Sequence, residues 1–237
     1  MNVIIGRILL TTRYIYTKRF ARMSSGLSYI DVPENCQPSN LFKQWADDYK
    51  TNTHSGLVLF NLATSFKNGD VSNRNLVLQE ISDDGGLIFN TNLNSLKVKQ
   101  IEENPKVSAS FLFTYTNETS NKRISQQVRM KGLIEKLPTS YSERIFEKQP
   151  LYAKIRSILL EEQGVPVCWE ELKKKHDDLL NKVNKGEIEL KSPKQLVLYK
   201  IIPAEYDFYH ANENEIGDRI LFSKSKDDEW DHYHISA

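Results

Sequence analysis

Apolar residues recur at every second position over some stretches of this chain and at helical spacing over others, and the two periods predict most of its elements. Leu57 to Thr64 is almost continuously apolar, which predicts a strand buried on both faces. In the stretch from Arg74 to Lys97, Leu76 and Leu78 alternate with polar neighbours as in a half-buried strand. Asp83, Asp84, Gly85 and Gly86 then read as a hairpin turn, and Leu87, Ile88 and Phe89 as the return strand. A helix follows, capped by Asn92 or Asn94, with Leu93, Leu96 and Ile101 on one face and Pro105 as its stop. Val107, Ala109, Phe111 and Phe113 alternate with polar residues along the next strand. Along Ile124–Ile134, Ile124, Val128, Met130 and Ile134 face one way, while Ser125, Gln127, Arg129 and Lys131 face the other.

The remaining elements follow from the same rules. Asn40–Tyr49 reads as a short helix laid on the body, with Leu41, Trp45 and Tyr49 on one side. Ser140-x-x-Glu143 after Pro138 is a capping-box pattern that opens a helix. A second helix is predicted from Pro150 towards Glu162 and a third from Trp169 to Val183, whose Lys/Asp run, including His176, reads as a solvated face. Strands are predicted at Gln195–Ile202, closed by Pro203, then at Tyr206–His210, Arg219–Phe222 and Trp230–Ile235. Many strands with helices inserted in blocks place the chain in the α+β class.

Composition narrows the function classes. Lys+Arg 32 against Asp+Glu 31 leaves a net charge of +1 in 237 residues, which carries no nucleic-acid signal. No apolar run is long enough for a membrane span. Cys36 and Cys168 show neither metal spacing nor a disulfide framework, and the alternating His232 and His234 lack a companion ligand, so no metal site is expected. The first 30 residues hold Arg7, Arg13, Lys18, Arg19 and Arg22 and no acid. That composition predicts a mitochondrial targeting segment over 1–30, with residues 31–237 as one domain, and a start at Met23 would give a cytoplasmic form.

Candidate chemistry gathers at the predicted helix start, where Thr91, Ser95 and Lys97 accompany free backbone N–H groups and Arg74 enters from a neighbouring strand. Such a cluster suits a phosphate. Arg74-Asn-Leu-Val-Leu-Gln79, the run from Phe89 to Lys97, Asn104-Pro105 and Gln126–Gly132 also stand in the order of the motifs of the pyridoxine/pyridoxamine 5'-phosphate oxidase family, which the chain resembles over about 200 residues. The resemblance implies an FMN-binding split β-barrel with peripheral helices, assembled as a homodimer with FMN at the interface. Carried over residue by residue, it assigns Arg74 and Lys97 to the cofactor's phosphate as cations, with Thr91 and Ser95 adding hydrogen bonds, Leu76 and Val77 to the cofactor site, and Gln127 to the flavin. From the partner chain it assigns Gln163, Tyr209 and Arg219.

The family's substrate-binding positions fall on Gln79, Ile145, Gln149, Ala153, Glu215 and Gly217, and each has departed from the family residue. Three of the lost groups are cations, together about 5–9 kcal/mol if additive, or a thousandfold and more in affinity. The expected function is therefore a flavoprotein resembling this family with altered substrate choice. The alternatives are an active oxidase of pyridoxine or pyridoxamine phosphate, compensated by Lys148, Lys154, Arg156 or His210, and a non-catalytic binder of flavin or of pyridoxal phosphate.

Overall fold

The computed structural model of the protein describes residues 26–237 apart from Glu34 and Lys226, so most of the expected targeting segment lies outside the described residues. The strands are β1 (Leu59–Ser65), β2 (Val71–Val77), β3 (Glu80–Ile81), β4 (Leu87–Asn92), β5 (Lys106–Thr116), β6 (Arg123–Lys136), β7 (Leu196–Asn212), β8 (Asp218–Lys224) and β9 (Trp230–His234). The helices are α1 (Pro38–Thr53), α2 (Leu96–Glu103), α3 (Thr139–Lys148), α4 (Leu151–Leu159) and α5 (Trp169–Asn184). The strands form one antiparallel sheet in the order β2-β1-β5-β6-β7-β4-β3, with β8 also on β7 and β9 on β8. The sheet curls into a half-barrel with the helices outside it, an α+β split barrel.

The core lies inside the curl. Phe60, Phe89, Phe111, Phe113, Phe208 and Phe222 are fully buried there, and α1 closes it with Leu41, Phe42 and Trp45. Phe42 meets Phe111 edge-on at 4.7 Å, and Trp45 meets Phe208 at 5.1 Å, the offset geometry aromatic rings prefer. The alternation expected for β5 and β6 is present, with Val107, Ala109, Phe111, Phe113, Val128 and Met130 all inward. β1 corrects the expectation of a strand buried on both faces, because only every second residue is buried: it pairs with β2 and β5 and turns its other face outward.

β7 departs most from expectation. Pro203 does not end it; one strand runs through the proline for 17 residues. Along β6 the register steps from Lys131↔Glu205 to Gly132↔Pro203, leaving Ala204 as the extra residue of a bulge that absorbs the missing donor. On its other edge β7 pairs with β4 up to Ile201 and with β8 from Glu205, so Pro203 sits where the neighbour changes. A Cβ on Gly132 would stand 2.1 Å from the Ile202 carbonyl, so only glycine fits opposite the bulge.

Helix ends also differ. α3 begins at Thr139 with Pro138 as its cap and no side-chain capping bond, so Ser140 lies within the first turn and no capping box forms. α2 is capped by Ser95 rather than Asn92 or Asn94, and Leu96 is exposed, while Val98 and Ile101 face the core. Gly26–Ile30, assigned by sequence to the targeting segment, belong to the packed body. Leu27 bridges Ile216, Ser28 donates to Glu215 at 2.9 Å, and Ile30 is buried.

Candidate functional site

A cleft of about 850 Å³ opens between β2, β4, the start of α2 and the α3–α4 corner. Arg74, Leu76, Val77, Thr91, Ser95, Lys97 and Gln163 all line it, as do Gln79, Ile145, Gln149 and Ala153. The short strand pair β3–β4 and the turn at Asp83–Gly86 bring the Thr91 end of β4 beside Arg74 on β2. The helix then starts at the cleft wall, and its first turn leaves backbone N–H groups without intrahelical partners.

Each polar group there is held or left open in a definite way. The Arg74 guanidinium donates to the Leu62 carbonyl at 3.1 Å, to Thr64 Oγ1 at 2.7 Å and to Gln100 Oε1 at 3.4 Å. Gln100 is fixed in turn by Thr64, Ser72 and the Asp70 carbonyl. Lys97 Nζ donates to Gln163 Oε1 at 3.2 Å. Burial, followed by the charge of Arg74, holds the Lys97 ammonium down to about 8, and burial also lowers Arg74. Neither cation has an ionic partner among the described residues. Ser95 Oγ is buried and makes no hydrogen bond. Two partly desolvated cations, an orphaned hydroxyl and a helix start at one place are the donor set of an anion site.

Asn92 and Asn94, expected as caps, do other work. Asn92 Nδ2 donates to the Leu160 and Glu161 carbonyls at 2.6 and 3.2 Å, and Asn94 Nδ2 donates to Glu161 at 2.8 Å. They clamp the chain leaving α4 and so bring Gln163 to Lys97. Gln163, expected from a partner chain, thus reaches the cleft of its own chain.

Gln127, Tyr209 and Arg219 lie elsewhere, adjacent in register on the outer face of β6, β7 and β8. Gln127 therefore does not reach the cleft that holds Arg74 and Lys97. Arg219 donates twice to Asp207, at 2.8 Å from Nε and 2.6 Å from Nη2, and Arg129 also pairs with that carboxylate. Glu215 and Gly217 lie beside this second group. Glu215 is engaged by Ser28, Asn212 and Lys122, which hold its carboxyl below the usual range. Gly217 lets the Tyr209 side chain lie over it, since a Cβ there would stand 2.5 Å from two ring carbons and from the phenolic oxygen.

Comparison with known proteins settles the family. The family model described as pyridoxamine 5'-phosphate oxidase matches residues 55–178, more than half of the chain. A pyridoxine/pyridoxamine 5'-phosphate oxidase of Rippkaea orientalis is 30% identical over 214 residues, covering 89% of this chain and 93% of that protein. The chain belongs to the pyridoxamine 5'-phosphate oxidase family. Two solved structures share its fold. PhzG of Burkholderia lata, in complex with tetrahydrophenazine-1-carboxylic acid, superposes with a TM-score of 0.74 at 21% identity, covering 90% of this chain and 100% of that one. A pyridoxamine 5'-phosphate oxidase-related, FMN-binding protein of Nostoc punctiforme gives 0.67 at 18% identity, covering 86% and 100%.

Of the cations named as substitutes for the family's substrate residues, Lys148 and Arg156 line the cleft. Lys154 lies over the Phe146 ring at 5.6 Å, and His210 is half-buried beside Trp45, with desolvation lowering its pKa and its buried Nδ1 left without a partner. Sequence reasoning missed Thr64, Gln100 and Asp207, which orient Arg74 and Arg219. A polar residue on the inward face of α2 was the available signal for Gln100; nothing local marks the other two.

Proposed function

We propose that this pyridoxamine 5'-phosphate oxidase family member is an FMN-binding flavoprotein, an oxidoreductase that works as a homodimer on a substrate other than the usual vitamin B6 phosphates. The observation that carries it is the unpaired Arg74–Lys97 couple beside the orphaned Ser95 hydroxyl. Such a cluster costs stability unless an anion completes it, and a flavin mononucleotide phosphate has the right charge and acceptors. Arg74, Lys97, Ser95 and Thr91 would hold that phosphate. Gln127, Tyr209 and Arg219 of a second copy would seat the ring system, which is the role the homodimer plays in this reading. Bound there, the flavin supplies hydride acceptance and onward electron transfer, while the protein orients it and excludes water.

The substrate half of the reading rests on Gln79, Ile145, Gln149 and Ala153, which line the cleft as neutral side chains. Glu215 and Gly217 serve to hold the N-terminal segment and Tyr209. A protein of the same fold in complex with tetrahydrophenazine-1-carboxylic acid supports a ligand range wider than B6 phosphates.

The test is an absorbance spectrum of the purified chain, an FMN titration and a pyridoxamine 5'-phosphate oxidation assay on one sample. A yellow protein that leaves that substrate unchanged is expected. A colourless protein that ignores FMN overturns the flavin reading, and turnover of pyridoxamine 5'-phosphate overturns the substrate reading. The basic, acid-free leader carries the further proposal of mitochondrial import, tested by fusing residues 1–30 to a fluorescent reporter.

A further inference from the structure

A lysine is rarely taken out of water unless a carboxylate meets it. Lys200, which is also largely covered, follows that rule and lies between Asp84 and Glu135. Lys97 does not. It is buried in the cleft wall, and its Nζ meets the neutral Oε1 of Gln163. The other charged side chains that line the cleft are cations as well: Arg74 on β2, Lys148 on α3 and Arg156 on α4. Tyr152 is the neutral titratable group among them, and no aspartate or glutamate stands among the described residues of the wall.

This position works against an ammonium and tolerates a neutral amine. Burial first, and then the charge of Arg74, bring Lys97 down to about 8. Lys97 is also the second residue of α2, where the positive end of the helix opposes a cation. At pH 7 about a tenth of the side chain is then neutral, on the order of a hundredfold or more above an ordinary lysine. The Gln163 amide suits either form, since its oxygen accepts from the ammonium and, turned over, its N–H donates to the neutral amine. An amine made neutral by desolvation and a neighbouring cation is a nucleophile towards carbonyl carbon. The unpartnered Ser95 hydroxyl and the Arg74 guanidinium line the same cleft, so an aldehyde that carries an anionic group is drawn to where the amine stands.

We infer that Lys97 is a carbonyl-reactive amine, which in the flavin-free chain condenses with small aldehydes bearing a carboxylate or phosphate to form an imine in the cleft. In that step Nζ adds to the carbonyl carbon, and its two protons leave with the carbonyl oxygen as water. A carbon–nitrogen double bond then joins Lys97 to the former aldehyde. No electrons are exchanged, so the step needs neither oxidant nor reductant. The nucleophile itself does not depend on flavin. The inference rests on the flavin reading in one respect: amine and flavin phosphate claim the same place, so modification and FMN exclude each other.

The probes are three small aldehydes: glyoxylate, which carries a carboxylate, glycolaldehyde phosphate, and neutral glycolaldehyde. Each is added to the full, flavin-free chain with cyanoborohydride, which reduces any imine to a stable secondary amine. Peptide mass spectrometry then gives the labelling rate at every lysine. At pH 7 Lys97 is expected to be labelled about tenfold or more faster than the exposed Lys106 and Lys174. An anionic probe should outpace glycolaldehyde there, and which one does so identifies the anion. The rate at Lys97 should level off above about pH 8, while the exposed lysines keep gaining. Saturating FMN should suppress labelling of Lys97 alone. Labelling of Lys97 no faster than that of Lys106 and Lys174, a rate at Lys97 still climbing past about pH 9, or equal rates with all three aldehydes overturns the inference. Selective labelling of Lys97 in a chain that does not bind FMN, or that persists under saturating FMN, removes the flavin-phosphate reading and leaves the amine standing.

Discussion

At the residue scale the site is a set of strained accounts that a ligand would close, and this makes opposite effects separable. Lys97 has its folded pKa lowered to about 8 from an ordinary value of 10.5. Between those values the unfolded chain binds more protons, so the stability of the ligand-free protein should rise with pH across that window. K97M is accordingly expected to raise the Tm of the ligand-free chain at pH 7 and to narrow its advantage above pH 10 or so. The same substitution should weaken FMN by about tenfold or more, read by flavin fluorescence. S95A should behave alike on a smaller scale, leaving Tm level or slightly higher because it removes an unpartnered buried hydroxyl, while weakening FMN. A Tm that falls in both variants would mean that the pair is structural rather than a ligand cradle. D207N, in contrast, frees Arg219 and Arg129 together and should lower Tm by several degrees in a thermal melt.

At the element scale the curl of the sheet depends on the place where β7 changes neighbours. G132A forces a methyl group against the Ile202 carbonyl and should cost about 2–4 kcal/mol in urea denaturation, far more than an alanine elsewhere on β6. Much at this scale was legible in sequence. The inward faces of β5 and β6 followed from strict alternation, and the β3–β4 turn from its two glycines. What was hidden depends on long-range partners. Pro203 reads locally as a stop, and only the bulge opposite Gly132 makes it passable. Asn92 and Asn94 read as caps, but their amides find carbonyls 67 to 69 residues away. The cleft residues of β2, β4 and α2 were readable because they sit in one contiguous motif. Thr64, Gln100 and Asp207 were not, since second-tier partners of a cation carry no local pattern.

At the scale of the whole molecule, the N-terminal segment behaves as part of the body from Gly26 onward. A chain beginning at Gly26 is expected to keep the Tm of the full protein. One beginning at Asp31 loses the buried Ile30 side chain and the Ser28 bonds, with an expected loss of about 2–3 kcal/mol in denaturant unfolding. Equal stability of the two would show that the Leu27–Ile30 contacts contribute nothing. The separation of Arg74 and Lys97 from Gln127, Tyr209 and Arg219 on one chain has a consequence of a different kind. If each complete site draws one group from each of two copies, a defect at Arg74 and a defect at Arg219 belong to different halves. Two inactive variants, R74A and R219A, when unfolded and refolded together, would then recover flavin in half the sites of each mixed pair, so that the damage in one copy is masked by the intact half of the other.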